Sequence, residues 1–270
     1  MAGWFKKILG TSSSSSATKH VIVKNVVVAV DVSSSIPQSM LDFVRKEGIP
    51  AIVKSMCGAS RREHVVYNFC LITFGSEVKV AIPPIDVTKI DPARDIPHLE
   101  SRGVTLMEDA MWKAFAEIDR LKAEQDKTPG TARRGSLLVC VTDGCPTDEH
   151  GSRKELSNYL VREIKRRSSS RSCETFAIGL GSVDDDTLRK IGPATSYEGK
   201  DGKKYTAAHA VRYEGSADDS KCWGSIYKLV GEASSSAAGK RVVAYTDDQS
   251  AWMRQVETIR VDPSEFRIIQ

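Results

Sequence analysis

The sequence predicts an α/β fold: a doubly wound, mainly parallel sheet with helices on both faces. Three observations lead there. Apolar, strand-like runs alternate along the chain with stretches of helical periodicity. The 270 residues, 40% of them hydrophobic, suit one large α/β domain with short tails. The first apolar run, Val26-Val27-Val28-Ala29-Val30, ends in Asp31-Val32-Ser33-Ser34-Ser35, oxygen-bearing residues at the strand edge where open α/β sheets bind ligands.

In chain order, residues 1–19 read as a flexible extension with a polyserine linker at Ser12 to Ser16. Residues 20–239 read as the domain and 240–270 as a C-terminal appendage. A strand is expected over His20 to Val32. Next comes an amphipathic helix over Ser39 to Met56, kinked at Gly48-Ile49-Pro50 and ended by Cys57-Gly58. Val65 to Phe74 is the second strand, and Gly75-Ser76 turns it into an edge hairpin over Glu77 to Ile82. Pro83-Pro84, Pro92 and Pro97 mark a loop leading to a helix over Leu106 to Lys122. Asp126 to Arg134 is expected as an exposed loop, Ser136 to Thr142 as a strand and Glu155 to Arg167 as a helix. Cys173 to Leu180 follows as a strand, and Asp184 to Ile191 as a short helix capped by its acidic start. Tyr197 to Tyr213 reads as a hairpin insertion and Trp223 to Ala233 as a helix. In the tail, Arg241 to Tyr245 and Ile259 to Val261 are strand-like.

Composition narrows the function. The net charge is only +4, and the basic clusters Arg133-Arg134 and Lys165-Arg166-Arg167 lack the interleaved aromatics of a single-strand groove, so no nucleic acid is expected. The six cysteines are scattered without a Cys-x-x-Cys pair, which indicates a reduced, cytoplasmic protein rather than a disulfide framework or zinc site. Lys6 and Lys7 interrupt the N-terminal apolar patch of Trp4, Phe5, Ile8 and Leu9, arguing against a secretory leader. No transmembrane segment is expected.

The chemistry concentrates at three loops. Asp31, Ser33 and Ser35 offer one carboxylate and two hydroxyls, hard ligands suited to Mg²⁺, Mn²⁺ or Ca²⁺. Ser101-Arg102-Gly103-Val104-Thr105 precedes a helix, and the strand ending at Thr142 runs into Asp143-Gly144-Cys145-Pro146-Thr147-Asp148. Taken singly, Ser33 and Ser35 also fit helix capping, Thr105 with Glu108 fits a capping box, and Asp143-Gly144 fits a turn. Together, in this order, the pieces resemble the metal-ion-dependent adhesion site (MIDAS) of von Willebrand factor A (VWA) domains. The Thr-Asp-Gly-x-Pro-Thr-Asp run is similar to that of the bacterial tellurite-resistance TerY-like group.

The resemblance covers about residues 21–239 and implies a strand order with one antiparallel edge strand. It also implies a divalent cation held by Asp31, Ser33, Ser35, Thr105 and Asp143. Ser34 and Val104 stand where the family usually has glycine, which leaves the loop geometry as the question. The implied role is a scaffold or adaptor that binds an acidic residue of a protein partner through a Mg²⁺ bridge, in a bacterial stress-response system with kinase-like or phosphatase-like partners. An adaptor of a AAA+ assembly machine is a variant of that role. An alternative is a Mg²⁺-dependent phosphoryl-transfer or hydrolytic enzyme. Only Arg102 supplies a basic residue to the three loops, and no phosphate cradle or poised histidine accompanies them, so a non-catalytic role is expected.

Overall fold

The computed structural model describes residues 21–198, 202, 204–215, 220–235, 241–245 and 257–270. The N-terminal extension and its polyserine run lie outside the described residues. In chain order the first elements are β1 (Val21–Asp31), α1 (Gln38–Phe43), a π-helical turn at Val44–Gly48, α2 (Ile49–Glu63), β2 (Val65–Phe74) and β3 (Val78–Asp86). Then come α3 (Pro92–Asp95), α4 (Met107–Asp126), β4 (Thr131–Arg133), β5 (Ser136–Thr142), α5 (Asn158–Ser169), β6 (Cys173–Gly179) and α6 (Asp185–Ile191). The remainder is β7 (Thr195–Glu198), β8 (Lys204–Ala207), β9 (Ala210–Tyr213), α7 (Ser220–Ser234), β10 (Arg241–Tyr245), β11 (Glu257–Val261) and β12 (Phe266–Ile269).

Eight strands form the main sheet in the order β12-β9-β6-β5-β1-β2-β3, with β4 beside the start of β1. The interior pairs are parallel. β3 is the antiparallel edge strand the family resemblance implied. β12 adds a second antiparallel strand at the opposite edge, so the end of the segment set apart as an appendage pairs in the main sheet. β7 and β8 form a separate hairpin, while β9, expected in the same insertion, belongs to the main sheet. β10 and β11 pair in parallel as a small second sheet.

Alternation along β1 divides the core. Val26, Val28 and Val30 face the helices α1, α2 and α7, while Val27 and Ala29 face α4, α5 and α6. Both faces of the strand are therefore covered, which is why its sequence is apolar without alternation.

The first helical stretch breaks where Pro50 sits. Proline cannot donate to the carbonyl four residues back, and the five-residue π-turn absorbs the disruption. Gly48 closes that turn against α7, where any Cβ would lie 2.8 Å from the Tyr227 ring. The helix does not stop at Cys57-Gly58 as expected. Ile52, Val53, Met56 and Ala59 continue one buried face past that point, and the helix ends at His64 with φ 54°. Pro83 and Pro84 belong to β3 rather than to a loop, beside a register shift. An edge strand tolerates them because one side of its backbone needs no ladder donor. The expected loop at Asp126 to Arg134 contributes the three residues of β4.

Candidate metal centre

β1, β5 and the segment before α4 end at the same edge of the sheet, and the five predicted oxygen-bearing residues meet there. Parallel pairing of β1 with β5 sets Val30 opposite Val141, which brings the loops after Asp31 and Thr142 side by side. The Asp31 carboxylate turns back on its own loop and accepts from the Ser33 N–H at 2.8 Å through Oδ1. Ser33 Oγ lies 3.0 Å from Ser35 Oγ, and Ser35 Oγ donates to Asp143 Oδ1 at 2.8 Å. Thr105 completes the group across Gly144. A Cβ on that glycine would lie 3.2 Å from Thr105 Oγ1 and 4.0 Å from Asp31 Oδ2. Gly144 thus keeps a side chain out of the space these oxygens share.

Burial makes the site electrostatically unusual. Asp31 is fully buried, with Ser33, Thr105 and Asp143 at most 5% exposed. Desolvation pushes the Asp31 carboxyl up to about 7, opposed by hydrogen bonds from Thr142 and Ser33 and aided by the negative charge of Asp143. Asp143 is also raised, mainly by burial, against the Ser35 hydrogen bond. Neither carboxylate forms an ion pair among the described residues, whereas Asp119, Glu163, Asp184 and Asp185 each meet an arginine.

Two carboxylates and three hydroxyls are a hard, all-oxygen donor set that suits one dication. The residues present fit such an ion. No group of three or more His, Cys, Asp or Glu residues with metal-binding geometry occurs among the described residues, as expected where hydroxyls supply more than half the donors.

The departures from glycine at positions 34 and 104 cost no backbone strain. Among described non-glycine residues, only His64 and Arg171 have positive φ. Ser34 instead ties two loops together, its N–H and Oγ both donating to the Gly103 carbonyl at 3.0 and 2.6 Å. Gly103 itself takes φ +64°, the conformation that favours glycine.

The capping alternatives are not what the loops do. Leu106, not Thr105, is the N-cap of α4, and it makes no side-chain cap. Glu108 accepts from the Ser157 N–H and hydroxyl instead of closing a capping box. Asp184, by contrast, caps α6 as expected, accepting from the Thr187 N–H at 2.7 Å.

Three further residues hold the site, and sequence reasoning missed them. Thr142 donates to Asp31 Oδ2 at 2.6 Å, reaching across from β5. Thr147 grips Thr105 on both sides: its Oγ1 accepts from the Thr105 N–H at 2.9 Å, and its N–H donates to the Thr105 carbonyl at 3.0 Å. Ser182, in the loop after β6, donates to the Asp143 carbonyl from its N–H and hydroxyl at 2.9 and 3.1 Å. The Thr-Asp-Gly-Cys-Pro-Thr run contained two of them, but nothing in its spacing distinguishes a ligand from a residue that positions one.

A mainly parallel α/β sheet with an aspartate-serine-serine, threonine and aspartate cluster at its carboxyl edge is the arrangement the family resemblance implied. The family model for the von Willebrand factor type A domain matches residues 25–212, and the chain belongs to that family. Mouse (Mus musculus) Matrilin-1 is 37% identical over 73 residues, which are 26% of this chain and 12% of that protein. A von Willebrand factor type A structure from Catenulispora acidiphila aligns with a TM-score of 0.50 at 16% identity, covering 78% of this chain and 42% of that one. Proximal thread matrix protein 1 from the mussel byssus, in a form with a zinc-occupied MIDAS motif, aligns with a TM-score of 0.50 at 15% identity. That alignment covers 84% of this chain and 53% of the mussel protein. The chain thus spans about half or less of each of these proteins.

Proposed function

We propose that the chain is a metal-dependent protein-interaction module rather than a catalyst. The observation that carries this reading is the convergence of Asp31 and Asp143, buried and without a basic partner among the described residues, on the hydroxyls of Ser33, Ser35 and Thr105. Those five side chains would hold the ion, directly or through water. A bound dication supplies positive charge and an exchangeable coordination position that an acidic side chain from a partner can fill. The chain's own contribution is to desolvate and orient: Thr142 aims Asp31, Thr147 fixes Thr105 and Ser182 holds the Asp143 backbone.

The all-oxygen donor set favours Mg²⁺, with Mn²⁺ or Ca²⁺ as substitutes. Zinc at the equivalent motif of the mussel protein supports a dication at this sheet edge without deciding which one. Six free cysteines, four of them buried, support a reducing, cytoplasmic setting. No helix among the described residues is long and apolar enough to cross a membrane. The Thr-Asp-Gly-Cys-Pro-Thr-Asp run supports placement beside the TerY-like proteins, in a bacterial stress response with kinase-like or phosphatase-like partners. Pull-down from a native lysate in Mg²⁺ and in EDTA, repeated with Asp31→Ala, tests the role. A partner lost in both EDTA and the variant supports the metal bridge, and one retained in both overturns it.

A further inference from the structure

A cavity of about 400 Å³ opens beside the metal centre, between the β2–β3 turn and the segment 97–102. Its size is that of a side-chain or small-ligand site. Val32, Thr73 and Leu99 form the floor, all of them buried, and Ala81 and Pro97 supply apolar wall. Three of the four charged residues in the lining are matched to each other. Glu77 is gripped by Lys79 and lies 3.6 Å from Arg102. Glu100, an exposed lining residue, makes no ion pair among the described residues, so the apolar surface offered to an incoming group is that of Val32, Leu99, Ala81 and Pro97.

Two of the lining residues, Val32 and Arg102, belong to loops that carry the candidate ligands. Val32 directly follows Asp31, and its carbonyl accepts from the Arg102 N–H at 2.7 Å. Ser76 donates to the Arg102 carbonyl at 3.1 Å, and Leu106 donates to Gly75 at 3.4 Å. Gly75 must lack a side chain here, since a Cβ would lie 2.5 Å from the Arg102 carbonyl. Gln38, three residues past Ser35, braces the outer wall by donating to Leu99 O at 2.7 Å and accepting from the Ser101 N–H at 3.0 Å. Cavity and metal centre thus share one loop framework at one sheet edge.

We propose that the cavity is the specificity subsite of the metal centre: it takes an apolar side chain of the partner segment that delivers the acid. The proposal rests on the metal-bridge reading and adds what that reading lacks, a basis for choosing among acidic partners. The cation selects the carboxylate; the cavity selects its neighbour.

The test uses the full chain with Mg²⁺ and an array of synthetic nonapeptides, each with a fixed central aspartate or glutamate and every residue sampled elsewhere. The expected result is EDTA-sensitive binding enriched in Leu, Ile, Val or Phe at one fixed offset from the acid. Replacing that residue by serine should weaken binding about tenfold or more. Ala81→Arg, and separately His98→Trp at the exposed rim, should abolish the preference at that offset. Both variants should keep the Mg²⁺ affinity, which shows that they are folded. EDTA-sensitive binding with no offset preference, or a preference unchanged in both variants, overturns the subsite while leaving the metal bridge standing. Acid-dependent binding that ignores EDTA overturns both.

Discussion

Two regions bury charge in this domain, and they do so in opposite ways. On the α4–α5 face, Arg167 is 6% exposed and fully matched. It makes two hydrogen bonds to Asp119 at 2.7 and 2.6 Å and one to Glu163 at 2.7 Å, and its guanidinium lies 4.5 Å over the Phe115 ring. At the sheet edge, Asp31 and Asp143 are buried beside each other with hydroxyls and N–H groups as partners and no basic side chain among the described residues. Arg167 pins two helices together and answers its own charge. The sheet edge carries an electrostatic cost that folding alone does not offset, and that cost is what the proposed cation would relieve.

The sharpest way to break this contrast is to remove a carboxylate from the open region. Asp31→Asn should lower Mg²⁺ affinity by more than about a hundredfold in isothermal titration, equivalent to about 2.7 kcal/mol or more. The same variant should lose no stability in EDTA, because the neutral side chain no longer suffers desolvation. A variant that binds Mg²⁺ as well as the parent would end the assignment of Asp31 as a ligand.

The matched region should respond in reverse. Arg167→Ala should cost about 3 kcal/mol in urea unfolding, near the low end for a broken buried pair because Asp119 is half-exposed and stays solvated. Its Mg²⁺ affinity should not change. Arg167→Met should recover part of the loss by keeping the packing against Phe115.

pH separates the two regions by sign. Asp31 has a folded value near 7 against an unfolded value of 3.8, so the folded chain retains a proton that the unfolded chain gives up. In EDTA, this contribution makes stability fall as pH rises from about 4 to about 7. Glu163 is held down to about 2 by hydrogen bonds from Arg166 and Arg167, so its contribution is present above about 4.5 and is lost as pH falls towards 2. Urea midpoints measured across this range should lose the upper slope in Asp31→Asn and the lower one in Glu163→Gln.

The smallest effect should come from a residue that touches no ion. Thr147→Val removes the acceptor for the Thr105 N–H and should weaken Mg²⁺ about tenfold, the low end for a residue that orients a ligand. Thr147→Ser, which keeps the oxygen, should restore it. Equal affinity in the valine variant would show that Thr105 needs no clip.

The candidate site residues were legible because each stands at the end of a recognisable run: Asp31 after five apolar residues, Thr105 before an amphipathic helix and Asp143 after a strand. Thr142, Thr147 and Ser182 were hidden because their roles depend on which loops become neighbours, and local spacing carries no such information. β2 and β5 were readable to the residue: β5 is buried throughout and β2 from Phe69 onward, and such burial leaves dominantly apolar runs. β12 was not: only four residues long and at an edge, it has too little burial to leave a pattern. Cys57-Gly58 misled because Gly58 has open space around it and helical geometry, so the breaker signal met no reason to break.

The outer side of β3 has a consequence for colloidal behaviour. Pro83 and Pro84 interrupt its run of amide hydrogens beside an irregular register, next to the mouth of the cavity. A second molecule trying to zip onto that margin would find the row of donors interrupted there. That interruption disfavours strand-on-strand growth along this border at high concentration.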